Sequence, residues 1–167
     1  TDANGKPGAT IPPNGFGPAA IQSAYKLAGL SSAGRTVAVV DAYDDPTAEA
    51  DLGVYRAQYG LPACTTANGC FRKINQTGGT KYPRVNSGWA QEISLDLDMV
   101  SATCPDCRIL LVEASSNSFA NLGAAVNRAA ATAGVVSISN SYGGGDAADT
   151  TYGAYYNHPG IAVTASS

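Results

Sequence analysis

The run Trp89-Ala90-Gln91-Glu92-Ile93-Ser94-Leu95-Asp96-Leu97-Asp98-Met99-Val100 can be drawn as a helix or as a strand, and the surrounding architecture depends on which. As a helix, with each residue rotated by about 100°, it gathers Trp89, Ile93 and Val100 on one apolar face. Glu92 and Asp96 then lie at the edge of that face, one turn apart, and Asp98 points the opposite way as a solvated acid. As a strand, residues 92–99 alternate polar and apolar, and Glu92, Ser94, Asp96 and Asp98 form a wet acidic face with no chemical role. Acids are depleted in strands, and Ala90, Gln91, Met99, Val100 and Ala102 extend the pattern at helical length, which favours the helix. Two carboxylates turned toward a core are costly unless paired, hydrogen-bonded or protonated. Such a pair is a candidate proton-transfer device.

With that helix in place, strands and helices alternate on both sides of it. Apolar runs at 36–40, 109–112, 135–139 and 161–165 read as buried strands. Segments 18–28, 46–59 and 117–133 read as helices, the last with an Asn117 cap. Residues 72–87, with Gly78-Gly79, read as a hairpin or an irregular excursion, and residues 1–17 as an extended arm. Continuously apolar strands alternating with helices predict an α/β fold: a parallel sheet covered by helices on both faces. Sites in such sheets form at the carboxyl ends of strands. Those ends carry Asp41, Glu113, the stretch from Asn140 to Gly143, and Ser166-Ser167. The last strand stops where a functional loop should begin, so the expectation is one part of a larger folded unit, unstable alone through its open edge.

Composition narrows the function classes. The chain has 167 residues, enough for one domain with a real core. Net charge is −3 and Arg72-Lys73 is the one adjacent basic pair, so nucleic-acid binding has no electrostatic footprint. No apolar run approaches the roughly 20 residues that span a membrane. Only 14% of residues are charged, while Gly, Tyr, Ser and Asn are plentiful, a balance more typical of secreted proteins. Thr1 at the start is read as a product of processing or trimming.

The four cysteines form two local pairs, Cys64 with Cys70 and Cys104 with Cys107. An even count in two short loops favours two disulfides and an oxidising, extracellular setting. A zinc site from all four is the rival, although the Cys64–Cys70 spacing is wide for it. A redox-active Cys104/Cys107 pair should open a helix, and here a strand follows. The sole histidine, His158, sits in Tyr-Asn-His-Pro and reads as a loop residue, so a histidine triad lacks support. Glu113 and Asp146 either line the cleft or are solvated, and solvation is the favoured reading. Tyr142 either contacts substrate or packs.

These pieces together resemble the sedolisins, the serine-carboxyl peptidases related to subtilisin. The resemblance runs from about Pro18 onward and rests on four stretches: Val37 to Asp41, Trp89 to Asp98, Ser137 to Gly143, and Ile161 to Ser167. The Glu-x-x-x-Asp order between the first strand and the Ser-Ile-Ser strand is its specific element. The resemblance implies a subtilisin-like sheet and an acidic-optimum endopeptidase, with residues 18–167 the N-terminal part of its catalytic domain. It implies that Glu92 is the general base for a serine nucleophile, that Asp96 bonds to Glu92, and that Asp41 extends the proton network. Ser141, Tyr142 and Gly143 would be the strand that lays down substrate backbone. Burial beside Trp89 and a neighbouring carboxylate would raise the base's proton affinity, and one proton shared between Glu92 and Asp96 suits acids that close.

Two departures stand out. The family's nucleophile lies in a Gly-Thr-Ser motif, which does not occur here, and its oxyanion-stabilising aspartate would follow Ser167. The family's calcium site also falls outside this stretch, so no metal or cofactor is expected within the chain itself. The resemblance then implies a partner: a C-terminal chain of the same precursor, cleaved after Ser167, that carries the serine. Polypeptides would be the substrates. The competing readings are a catalytically inactive binding module on the same scaffold and a plain structural α/β domain.

Overall fold

The computed structural model describes residues 14–145 and 147–166. Most of the arm expected at 1–17, together with Asp146 and Ser167, lies outside the described residues. The first helix, α1 (Pro18–Ala24), opens with proline in its first turn, where a missing N–H costs nothing. It ends four residues earlier than its sequence pattern, because Tyr25 leaves the helix and Lys26 turns left-handed at φ 55°. The remaining elements alternate: β1 (Thr36–Ala42), α2 (Ala48–Gln58), β2 (Phe71–Asn75), α3 (Ser87–Thr103), β3 (Arg108–Ala114), α4 (Phe119–Ala130), β4 (Val135–Asn140), α5 (Asp149–Tyr156) and β5 (Ala162–Ala165).

The strands form one open sheet in the order β2-β3-β1-β4-β5, and every neighbouring pair is parallel. Parallel neighbours need a crossover, and each crossover here holds one helix. The alternation of side chains along β1 divides the core in two. Ala38 and Val40 pack with Leu110, Val112, Ile138 and the α4 residues Leu122, Ala125 and Val126. Val39 packs on the other face with Leu111, Ile109, Leu52 of α2, and Ile93 and Leu97 of α3. Ile93 and Leu97 are both fully buried, which stabilises the docking of α3 by about 1.5–3 kcal/mol each. The α/β class with helices on both faces is therefore the observed fold.

Several local expectations need correction. β2 overlaps the start of the 72–87 stretch expected to be a hairpin or irregular, and α5 has no counterpart among the expected helices. α4 is capped by Ser118, whose hydroxyl accepts from the Asn121 N–H, and not by Asn117. Its neighbour α5 fits only because Gly123 lacks a side chain: a Cβ there would sit 2.3 Å from the Tyr155 ring. Cys64–Cys70 and Cys104–Cys107 are both disulfides, so neither pair is free to ligate zinc. No helix among the described residues is long and apolar enough to cross a membrane.

Candidate active site

Three elements bring the site together. Asp41 is two residues beyond Val39 on β1, so the strand pleat turns it toward the α3 face. By the same rule Ser141, two residues beyond Ser139 of β4, faces α3, and Tyr142 faces α4. From above, α3 presents Glu92 and Asp96 one turn apart. The start of α3 is set by Asn86, whose side-chain oxygen accepts from the Trp89 N–H at 3.1 Å.

Asp41 is fully buried, and neither of its carboxyl oxygens has a hydrogen-bond partner among the described residues. Its pKa is pushed well above the usual carboxylate range by burial, reinforced by the negative charge of Asp96, Glu92 and Glu113. Asp96 accepts a 2.8 Å hydrogen bond from the Ser141 hydroxyl on Oδ1, while its Oδ2 is buried without a partner. Burial raises the Asp96 pKa, the Ser141 bond works against that rise, and Glu92 adds to it. Burial and mutual repulsion thus favour the protonated forms of Asp41 and Asp96.

A second polar group adjoins the first. Glu113 is the β3 neighbour of Asp41 in register and is fully buried, not solvated as its sequence position suggested. One oxygen accepts from the Asp45 N–H at 3.1 Å and lies 3.4 Å from Lys73 Nζ; the other has no partner. Burial outweighs the attraction of Lys73 and pushes the Glu113 pKa up to about 8. Lys73 also donates to Asp44 at 2.5 Å and to the Asp45 carbonyl at 2.8 Å, beneath the Tyr82 ring. Burial works against the Lys73 charge, but Asp44 and Glu113 prevail and hold its pKa above the ordinary value. Asp45 in turn accepts from the Ser94 hydroxyl of α3 at 3.2 Å, tying this group to the helix that carries Glu92.

The mouth of the site is a cavity of about 430 Å³, lined by Tyr43, Asn86, Trp89, Glu92, Asn117 and Ser141. Tyr43 and Trp89 meet edge to face at 6.3 Å, and the Tyr43 hydroxyl donates to Asn117 Oδ1 at 3.2 Å. Tyr43 sits directly past β1 with φ 64°, a costly backbone conformation for a residue with a side chain. A larger cavity, about 600 Å³ between Leu30, Ser31, Thr103 and Pro105, opens at the amino ends of β1 and β3 and contains none of these acids.

The structure thus brings Asp41, Glu92, Asp96 and Ser141 into one site, but the bond expected between Asp96 and Glu92 is not formed among the described residues: Asp96 Oδ1 is taken by Ser141 and its Oδ2 has no partner. The Tyr142 side chain packs toward α4, where its hydroxyl donates to Asn140 Oδ1 at 2.8 Å, so the 141–143 segment offers the cavity backbone rather than that ring. Gly143 has open space where a Cβ would stand. His158 is a loop residue whose Nε2 is 2.9 Å from the Tyr155 carbonyl, remote from the acids in the fold. Asp98 departs from expectation: it is half-buried, its Oδ1 is buried without a partner, and burial with the nearby Asp51 charge pushes its pKa to about 7. Tyr43, Asn117, Lys73 and Asp45 carry no site role in the sequence pattern, where Asn117 reads as a cap and Lys73 as half of a basic pair. Asp44-Asp45 and Tyr43 follow the same strand end that drew attention to Asp41, and that position was the available signal.

No family model matches the chain, and no curated protein matches it. Among solved structures it is similar to Pseudomonas sedolisin, a serine-carboxyl proteinase, complexed with two molecules of pseudo-iodotyrostatin. The TM-score is 0.64 at 21% sequence identity, over 77% of this chain and 35% of that one. The likeness is one of fold, and this chain spans about a third of that protein.

Proposed function

We propose that this chain is the base-bearing part of a serine-type endopeptidase that hydrolyses polypeptides through a serine–glutamate–aspartate triad. Glu92 takes the hydroxyl proton as the serine oxygen attacks the peptide carbonyl carbon, then returns it to the leaving amine. Asp96 is its carboxyl partner, and Asp41 extends the proton network into the sheet. The backbone of Ser141, Tyr142 and Gly143 aligns the substrate. The observation that carries this reading is the convergence of Asp41, Asp96 and Glu92 at the carboxyl end of a parallel sheet, with Asp41 fully buried and three carboxyl oxygens of Asp41 and Asp96 buried without a partner among the described residues. The fold shared with a serine-carboxyl proteinase supports it.

No Gly-Thr-Ser occurs in these 167 residues, so this reading takes the serine and the oxyanion donor from a C-terminal part of the same precursor. Calcium belongs to that same remainder. Cys104, Asp106 and Cys107 are the one metal-spaced cluster among the described residues, and they do not suit calcium, because both sulfurs are tied in a disulfide. The disulfides fit an extracellular enzyme. An acid cluster of this kind works while it retains a proton, so activity is greatest below neutral pH.

The test begins with native and denatured mass of the purified protein together with the rest of its precursor, followed by peptide hydrolysis between pH 3 and 8. Glu92→Gln is expected to lower kcat by about 10³-fold or more in a folded assembly. Undiminished turnover in that variant, or an optimum above pH 8, would refute the reading. An assembly inert even as wild type would leave a binding module on this scaffold.

A further inference from the structure

Ser141 carries more than backbone to the site. Its hydroxyl lies 2.8 Å from Asp96 Oδ1, and a hydroxyl has a single proton to donate. Beside it in the site are three buried carboxyl oxygens with no partner among the described residues: Asp96 Oδ2 and both oxygens of Asp41. Dry carboxyls that close do not all carry charge, so the cluster retains a proton. The oxygen that already accepts a hydrogen bond is the poorer base of its pair, because the bond stabilises its negative charge.

We propose that the Ser141 side chain is a positioning residue, which holds Asp96 by Oδ1 and so confines the retained proton to Asp96 Oδ2 and Asp41. The bond crosses from the end of β4 to the middle of α3, so it also fixes the helix that bears Glu92 against the sheet. Its use in catalysis rests on the peptidase reading: held this way, the partner of Glu92 has one proton arrangement instead of several. The charged and titratable groups around it are Glu92 on its own helix and Asp41 on β1. Glu113 on β3 and the Tyr142 hydroxyl adjoin Asp41, and Lys73 lies beyond Glu113.

The test is a site-resolved carbon-13 titration of the aspartate carboxyls in the full chain, with no substrate present. Ser141→Ala is expected to raise the Asp96 midpoint by about one unit, a tenfold gain in proton affinity. The Asp41 midpoint should fall in response, since its neighbour is less often charged. Ser141→Thr, which keeps the hydroxyl, should restore the wild-type values. An unchanged Asp96 midpoint overturns the proposal, and so does a fall, which would mean that Asp96 donates to Ser141. If the alanine variant fails to fold, Ser141→Cys retains the volume with a weak donor and must shift Asp96 in the same upward direction. Hydrolysis by the Glu92→Gln assembly is read separately. Loss of the peptidase reading with the shift intact leaves Ser141 positioning the acid cluster; hydrolysis that depends on Glu92 without the shift removes Ser141 alone.

Discussion

Asp41 is the residue at which function and stability pull apart. A fully buried carboxyl with two partnerless oxygens opposes folding whenever it must ionise. Its pKa is raised in the folded chain, so the native state binds more protons than the unfolded state once pH passes the ordinary carboxylate value. Stability is therefore greatest at acid pH and falls as pH climbs from that value toward the raised one. Asp41→Asn removes this charge at similar shape. We expect urea unfolding at pH 7 to show the variant more stable than wild type by on the order of 1–2 kcal/mol, with the difference vanishing near pH 3. If the proposed peptidase function holds, the same substitution should also reduce hydrolysis, because an amide cannot share the proton. That Asp41 is a candidate was legible from its place at a strand end. That it is dry was not, because burial depends on α3, which lies about fifty residues further along the chain.

At the scale of elements, α3 has two working faces. One packs Ile93 and Leu97 on the sheet and aims Glu92 and Asp96 at β1 and β4. The other meets α2, and there Asp98 approaches Asp51. A helical wheel drawn from sequence assigns that second face to water because it cannot see α2. The Asp98 pKa of about 7 means that the α2–α3 contact tolerates a protonated acid and is strained by an ionised one. The cost builds between about pH 4 and pH 7 and is complete above pH 7. Asp98→Asn should therefore raise thermal stability at pH 8, by about 1 kcal/mol after allowance for solvent screening, and leave it unchanged at pH 4. β2 was missed for a different reason. Of its residues, Phe71 and Ile74 are the buried apolar ones, and they face opposite sides of the sheet. Neither the period-2 alternation of a half-exposed strand nor an apolar run is present, and β2 forms by pairing with β3. α5 buries no residue fully and owes its place to the space that Gly123 leaves for Tyr155.

The whole molecule is uneven in protection. β1 and β3 are buried on both faces, whereas β5 pairs only with β4 among the described residues and is mostly exposed. Hydrogen exchange should reflect this, with β5 amides exchanging at least a hundredfold faster than those of β1 and β3. Addition of the proposed C-terminal chain should slow β5 selectively, since a neighbouring strand would pair its open edge; uniform protection of β5 in the lone chain would count against that partner.

What the sequence determined alone is the class of fold, through apolar runs and helical periods that are local properties of the chain; it favoured the two short-loop disulfides, which the structure then formed. It also marked Glu92, Asp96 and Asp41, because costly acids on an apolar face or at a strand end are visible without coordinates. Only the tertiary structure decided which acids are dry, that Glu113 and Lys73 adjoin the site, and that Ser141 turns its hydroxyl on Asp96. Those outcomes depend on contacts between residues far apart in the chain, and the desolvation that sets their chemistry exists only after the layers have packed.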